Sequence, residues 1–93
     1  MGKFRVIISD NAAKDLLAIK RSGDKASIKK VSVIISELYT NPETGTGKPE
    51  RLKHDLAGYW SRRINKKDRL IYIIEDDIIT VTVVSAIGHY HDK

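Results

Sequence analysis

The strongest β-strand pattern in the chain lies in residues 69–86, which read RLIYIIEDDIITVTVVSA. Arg69–Glu75 and Ile78–Ala86 are rich in β-branched and aromatic residues, a composition typical of strands. Threonines alternate with apolar residues in the second run, which predicts one buried and one partly exposed sheet face. Between the two runs, Asp76 and Asp77 predict a tight turn. We therefore expect a hairpin here, with Arg69 opening a central strand.

Two amphipathic helices are expected on the N-terminal side, at about Asn11–Arg21 and Lys25–Tyr39. In each, apolar residues recur at helical spacing and form one stripe that must be buried. Only Ser22–Asp24 separates them, and so short a connection predicts an antiparallel helical hairpin. Before the first helix, Lys3–Ser9 has the alternation of a short strand.

Two further short strands are expected at about Glu50–His54 and Tyr59–Asn65, after a loop at Pro42–Pro49. The order β-α-α-β-β-β predicts an α+β fold, with the helical hairpin packed on one face of a mostly antiparallel, twisted sheet of four to five strands. We expect the first strand to lie beside a later one. Residues 1–93 should form a single domain, because the chain is too short for two cores.

The composition excludes several classes of protein. Without cysteine there is no disulfide framework and no cysteine-based zinc site. No apolar run approaches the length of a membrane span, so we expect a cytoplasmic protein that does not bind a membrane.

Positive charge is concentrated between Lys48 and Arg69. This segment contains eight Lys or Arg and three acids, so its net charge of +5 equals that of the whole chain. A local excess indicates a surface that binds a polyanion, and nucleic acid is the first expectation. The candidates for RNA contact in or beside it are Lys48, Lys53, Arg62, Arg63, Lys66 and Lys67.

Three titratable residues would suffice to cleave RNA without a metal. Such cleavage needs a base for the 2′-hydroxyl, a cation for the charge at phosphorus and an acid for the leaving oxygen. Glu50, Arg69 and His89 offer these groups in that order, provided that the sheet brings them onto one face. The residues alone leave simpler roles open: Glu50 as a surface carboxylate, Arg69 as cover for a strand end, and His89 as a terminal residue without a role.

Other ligand sites have weaker support. The loop TGTGKP lacks the four-residue spacing and the following helix of a phosphate-binding P-loop. His89 and His91 lack a third ligand nearby, so zinc is a weak alternative, and we expect no metal and no cofactor. Trp60 is more typical of a core residue than of a base-stacking platform, whereas Tyr59 and Tyr90 are better placed as exposed aromatics.

Residues 45–74, GTGKPERLKHDLAGYWSRRINKKDRLIYII, closely resemble the signature of the YoeB (Txe/YoeB) toxins of bacterial toxin–antitoxin systems, within the RelE superfamily. The family pattern is roughly GxGKPExLKxxLxGxWSRRIxxxxRLVY, and a HisTyr pair follows the last strand, here His89 and Tyr90. The match covers about a third of the chain, and the predicted order of strands and helices agrees over the remainder.

The resemblance implies a metal-independent endoribonuclease that cleaves mRNA in the ribosomal A site and so inhibits translation. Lys53 and Arg63 match basic residues of the family that contact RNA or the scissile phosphate. The site residues implied by position are the general base Glu50, the cation Arg69, the general acid His89 and the terminal tyrosine Tyr90.

The resemblance also implies partners. These are a YefM/Phd-like antitoxin, whose acidic C-terminal segment covers the toxin, and the 70S ribosome with its A-site mRNA. Operator DNA would be bound only through the antitoxin, and a homodimer and one toxin on an antitoxin dimer are both open.

The chain departs from the family pattern near its C-terminus. Ile87 and Gly88 precede His89 where some members carry a basic residue, and His91 competes with His89 for the acid role. Two other functions also remain open: a non-catalytic toxin on the same fold, like the ParE-like gyrase inhibitors, and a basic RNA-binding module. Neither of them needs the set of base, cation and acid.

Overall fold

The computed structural model describes residues 3–88. Over this range it contains two α-helices, five β-strands and two short 3₁₀ turns, at His54–Leu56 and Asp76–Ile78. The longer elements are β1 (Arg5–Ile8), α1 (Asp10–Ser22), α2 (Lys25–Leu38), β2 (Glu50–Arg51), β3 (Tyr59–Arg63), β4 (Arg69–Glu75) and β5 (Thr80–Ser85). Neither helix in this range is long and apolar enough to cross a membrane.

The five strands of the described residues form one sheet in the order β1-β5-β4-β3-β2. β1 lies parallel to β5 at one edge, and all other neighbours are antiparallel. The helices carry the chain from β1 to β2 at the opposite edge, and their apolar stripes pack on one face of the sheet. The predicted α+β class, the order of elements and the pairing of the first strand with a later one are confirmed.

Local capping sets the helix boundaries. Ser9 caps α1 by accepting a hydrogen bond from the backbone N–H of Ala12, and Asp24 caps α2 through Ser27. Between the helices, Gly23 has a φ of 79°, the left-handed conformation in which glycine ends a helix at little cost. These signals are local in sequence, so both helices agree with their predicted ranges to within one residue at each end.

The core lies between the helices and one face of the sheet. It is built from both helices and from β4 and β5, with Ile34, Leu38, Leu70, Tyr72 and Val83 at its centre. Successive residues of a strand point to opposite sides of a sheet, so their neighbours point away from the helices. We call that second side the open face; it carries Glu50, Ser61, Arg63, Arg69, Ile71 and Ser85.

Several predicted strand boundaries are wrong. β1 begins at Arg5 instead of Lys3, and β3 ends at Arg63 instead of Asn65. β2 ends at Arg51 because the chain enters a 3₁₀ turn at His54, whose φ is 59°. The tight turn predicted at Asp76 and Asp77 is longer than expected. It is a 3₁₀ turn that extends to Ile78, and Ile79 follows with a φ of 49°. As a result, β5 begins only at Thr80.

Candidate active site

The open face brings the predicted base and cation together. Glu50 pairs with Ser61 across β2 and β3, and Ser61 pairs with Ile71 across β3 and β4. Arg69 pairs with Arg63, two residues along β3 from Ser61 and on the same face, so Arg69 lies diagonally from Glu50. Nη1 of Arg69 is 3.7 Å from Oε1 of Glu50. Antiparallel pairing thus joins two groups that are distant in sequence.

This ion pair leaves the carboxylate accessible. The side chain of Glu50 is 61% exposed and that of Arg69 is 25% exposed. A pair so long and so exposed stabilises the fold by well under about 1 kcal/mol. The sheet, and not their mutual attraction, therefore holds the two groups in place.

Five of the six residues predicted to contact RNA are exposed: Lys48, Lys53, Arg63, Lys66 and Lys67. The first two flank β2, Arg63 faces Arg69 across the sheet, and the last two lie in the turn between β3 and β4. Lys48 and Lys53 are thus close in sequence to Glu50, and Lys66 and Lys67 to Arg69. Their contact with RNA stays a prediction.

Arg62 is the exception, and its predicted contact with RNA is wrong. Its side chain is 0% exposed, because it points toward the helices while Arg63 points to the open face. Nη1 forms a 2.7 Å ion pair with Oε1 of Glu37, and Nε donates to the hydroxyl of Tyr72 at 3.0 Å. Arg62 is therefore a structural residue.

The remaining donors of Arg62 hold the loop that leads to Glu50, residues 41–47. They bind three of its carbonyl oxygens, those of Asn41, Thr44 and Thr46. Thr46 in turn donates its backbone N–H and its hydroxyl to the carboxylate of Glu37, both at 2.8 Å. The N–H of Arg63 donates to the carbonyl of Gly47 at 2.7 Å. All five N–H donors of this guanidinium have acceptors, and we call the assembly of Arg62, Glu37, Tyr72 and loop 41–47 the loop clamp.

The ionisation of the loop clamp is set by its contacts. Burial raises the pKa of Glu37, but hydrogen bonds from Thr46 and the bond and charge of Arg62 outweigh burial and hold that pKa below its ordinary value of 4.5. Burial raises the pKa of Tyr72, whose hydroxyl donates to the carbonyl of Pro42 at 2.7 Å. At neutral pH the clamp therefore contains a carboxylate and a neutral phenol.

His89 and Tyr90, the predicted acid and terminal tyrosine, lie outside the described residues. The residue before them is fixed beside the site. The backbone N–H of Arg69 donates to the carbonyl of Gly88 at 3.0 Å, and the N–H of Gly88 donates to Oδ1 of Asp68 at 2.9 Å. The chain therefore reaches the position before His89 at the strand end that carries the cation.

The aromatic residues of β3 differ in environment. Trp60 is partly buried and packs against the core, as predicted, with its ring stacked 6.5 Å from that of Tyr72. Tyr59 is half-buried, although it was expected to be exposed. Residues 3–88 contain no group of three His, Cys, Asp or Glu side chains placed to hold a metal ion.

Glu37, Tyr72 and Ser61 were not predicted as part of the site. Ser61 lies opposite Glu50, is 0% exposed, and has the one buried side-chain polar atom without a hydrogen-bond partner among the described residues. A sequence signal existed for Arg62: residues 60 and 62 of a strand share a face, so a tryptophan placed in the core predicts a buried arginine.

Comparison with known proteins establishes the family. Residues 8–90 match the model of the YoeB-like toxins of bacterial type II toxin–antitoxin systems. The chain belongs to this family. Among curated relatives, Toxin YoeB of Escherichia coli O6:H1 (strain CFT073) is 40% identical over 78 residues, which are 84% of this chain and 92% of the relative.

Solved structures of YoeB toxins have the same fold. YoeB in the dimer from Staphylococcus aureus matches with a TM-score of 0.78 and 34% identity, over 95% of this chain and 99% of that chain. The YoeB–YefM complex from the same species gives a TM-score of 0.75 and 33% identity, over 94% and 98%. The resemblance found in residues 45–74 is confirmed, and this YoeB-like chain is a toxin of a type II system.

Proposed function

We propose that this YoeB-like toxin is a ribosome-dependent mRNA endoribonuclease. The observation that carries the proposal is the 3.7 Å contact between Glu50 and Arg69 on the open face, with Gly88 bonded to the backbone of Arg69. A carboxylate and a guanidinium meet there, beside the residue that precedes His89. Metal-free RNA cleavage needs a base, a cation and an acid, and Glu50, Arg69 and His89 are of these three kinds.

In the proposed reaction Glu50 accepts the proton of the 2′-hydroxyl, and the 2′-oxygen attacks the adjacent phosphorus. Arg69 stabilises the negative charge that develops on the phosphoryl oxygens. The bond from phosphorus to the 5′-oxygen breaks, and His89 donates a proton to that oxygen. The products are a 2′,3′-cyclic phosphate, or its 3′-phosphate hydrolysis product, and a 5′-hydroxyl. Residues proposed to hold the RNA or the acid are Lys53, Arg63 and Tyr90.

Exposure of the site supports dependence on the ribosome. The side chain of Glu50 is 61% exposed, so free RNA would meet a base still surrounded by water. Positioning and exclusion of water are large contributions to catalysis. We propose that the ribosomal A site supplies both, by orienting the 2′-hydroxyl in line and covering the open face.

The test is single-turnover cleavage of mRNA on programmed ribosomes, mapped by primer extension and run with and without ribosomes. Glu50→Gln and His89→Ala should each slow cleavage by about 100-fold or more. Glu75→Gln is the matched control for the first, since Glu75 is an exposed carboxylate at the far end of β4. His91→Ala is the control for the second. Wild-type rates in both site variants would refute the mechanism, and loss in His91→Ala alone would move the acid to His91.

The known assemblies of a relative support a proposal for the partners of this toxin. S. aureus YoeB is known as a dimer and in complex with YefM. We propose that this toxin, in the cytoplasm, binds a YefM-like antitoxin whose acidic C-terminal segment pairs with the exposed cations around Glu50, and that operator DNA is bound only through the antitoxin. Light scattering of the toxin alone and with antitoxin would separate a homodimer from one toxin on an antitoxin dimer.

The alternative is a non-catalytic toxin that inhibits gyrase. The same translation extract discriminates the two functions. Discrete primer-extension stops within A-site codons support cleavage, whereas gyrase-linked DNA breaks without such stops support the alternative.

A further inference from the structure

A pocket opens on the same sheet face, beside the Glu50–Arg69 contact. It has a volume of about 330 Å³ and is lined by Leu56, Tyr59, Ile71, Val84, Ser85 and neighbouring residues up to Gly88. A β-bulge shapes it: Ile71 and Tyr72 are consecutive, yet they pair with Ser85 and Val83, which leaves Val84 as the extra residue.

The pocket lies on the same face of the sheet as the proposed catalytic groups. Glu50, Ser61, Ile71 and Ser85 form one row across β2, β3, β4 and β5. Adjacent strands lie about 4.8 Å apart, so Ile71 is roughly 10 Å from Glu50 across the sheet. Along β4, Ile71 is one same-face step, roughly 7 Å, from Arg69. A nucleobase next to a phosphate held at Arg69 would therefore lie within reach of the pocket.

The chemistry of the lining differs from that of the surrounding patch. The lining consists of aliphatic side chains, the half-buried phenol of Tyr59 and the hydroxyl of Ser85, without a charged group. The exposed cations are instead close in sequence to Glu50 and Arg69, where a phosphate would be held. A nucleobase has apolar faces and polar edges, and unstacked bases in RNA complexes stack on aromatic side chains while their edges form hydrogen bonds.

We propose that this pocket binds the nucleobase next to the cleaved phosphodiester, with the base against Tyr59 and Ile71 and its edge toward the hydroxyl of Ser85. The proposal rests on the proposed ribonuclease function and extends it to sequence preference. The pocket selects which nucleotide stands beside the scissile bond, while Arg69 and its neighbours hold the backbone whatever the sequence.

The first test compares ribosome-bound mRNAs that carry either a natural base or an abasic nucleotide at each position flanking the cleavage site. For the wild type, the abasic nucleotide at one position should slow cleavage by roughly tenfold or more, the effect of losing one base–aromatic stack. Tyr59→Leu keeps an apolar wall but removes the ring, so it should cut both mRNAs at nearly equal rates. Tyr39→Leu is the matched control, because Tyr39 is exposed at the end of α2 and far in the fold from this face.

The second test does not need the ribosome or catalysis. A purine nucleoside 3′-monophosphate is titrated into the isolated toxin, and amide chemical shifts are recorded for the wild type, Tyr59→Leu and Ser85→Ala. Shifts confined to Ile71, Ser85 and their neighbours, and lost in Tyr59→Leu, would support the pocket even if the toxin cleaved nothing. Failure of cleavage in the wild type would thus overturn the proposed function alone.

Two results would overturn the pocket itself. In the first, the wild type cleaves mRNA, but the ratio of its rates on the natural and the abasic mRNA is the same as in Tyr59→Leu. The nucleotide then also shifts only the amide signals of the exposed Lys and Arg residues. The other is perturbation of the pocket amides by an antitoxin segment but not by the nucleotide, which would assign the pocket to the protein partner.

Discussion

Replacement of Arg62 by lysine should destabilise the toxin far more than the same change one residue later. The guanidinium of Arg62 is fully buried and donates to five acceptors, one of them the carboxylate of Glu37. A lysine ammonium has three donors at one point and cannot reach acceptors arranged around a planar fork. At least two acceptors would lose their donor, at about 1–3 kcal/mol each.

The expected loss is therefore about 3 kcal/mol, comparable to the cost of breaking a buried ion pair. Total stability for a chain of this length is about 5–14 kcal/mol, so the variant should still fold. Its melting temperature should fall by roughly 12–24 °C. Arg63→Lys is the matched control, because Arg63 is exposed on the other side of the same strand, and surface changes of this kind stay within about 0.5 kcal/mol.

Urea unfolding, followed through the single tryptophan and by circular dichroism, measures both variants. The slope with urea should be unchanged, so that the midpoint reports stability. A loss below about 1 kcal/mol in Arg62→Lys, or an equal loss in Arg63→Lys, would refute the assignment of Arg62 to the loop clamp.

Three further predictions concern the same assembly. The pKa of Glu37 in the folded state lies below 4.5, so the contribution of its charge to stability is complete above pH 4.5 and is lost as the pH falls through that folded-state pKa. The urea midpoint of Glu37→Gln should therefore fall less steeply below pH 4.5 than that of the wild type. Parallel pH profiles of the two proteins would contradict this. In thermal melts, Gly45→Ala should lower the melting temperature more than Gly58→Ala. Both glycines have positive φ, but a Cβ at Gly45 would overlap the carboxylate of Glu37, whereas a Cβ at Gly58 has no atom within 4 Å. Equal losses in melting temperature would argue against tight closure of loop 41–47. Ser61→Ala should leave stability unchanged or raise it by up to about 1 kcal/mol, since it removes a buried hydroxyl without a partner, and a loss above about 1 kcal/mol would mean that the hydroxyl is hydrogen-bonded in solution.

Local signals made much of the fold predictable. β4 has its predicted bounds, Arg69–Glu75, because a run of β-branched and aromatic residues ends at two aspartates. The helix ends follow caps that act within four residues, Ser9 and Asp24. The end of β2 was not predictable in the same way. Its early stop depends on a left-handed residue, His54, that is neither glycine nor asparagine, and nothing nearby in sequence signals it.

The charges of the site were predictable, but the direction of Arg62 could be read only from its two-residue spacing to Trp60. Arg62 and Arg63 are adjacent and of the same type, so composition and local charge treat them alike. Their difference comes from the pleat, which sends one side chain to each face, and from a partner 25 residues earlier in the chain, Glu37. A contact over that distance leaves no local pattern. The bulge that leaves Val84 as the extra residue opposite β4 is likewise a property of strand register and not of composition.

Strand β3 links the stability of the core to the position of Glu50. β2 has only two paired residues, too few to hold itself in place, and the residues that flank it, Lys48 and His54, are in the left-handed region. Such conformations cost about 1–2 kcal/mol for a residue with a Cβ and persist only where the surroundings impose them. Loop 41–47 supplies that constraint on one side, since Arg62 binds three of its carbonyl oxygens and the backbone of Arg63 binds a fourth. Arg62, which the sequence predicted to contact RNA, therefore points to the side of the sheet opposite Glu50. It helps to fix β2, the short strand that carries Glu50, the proposed general base.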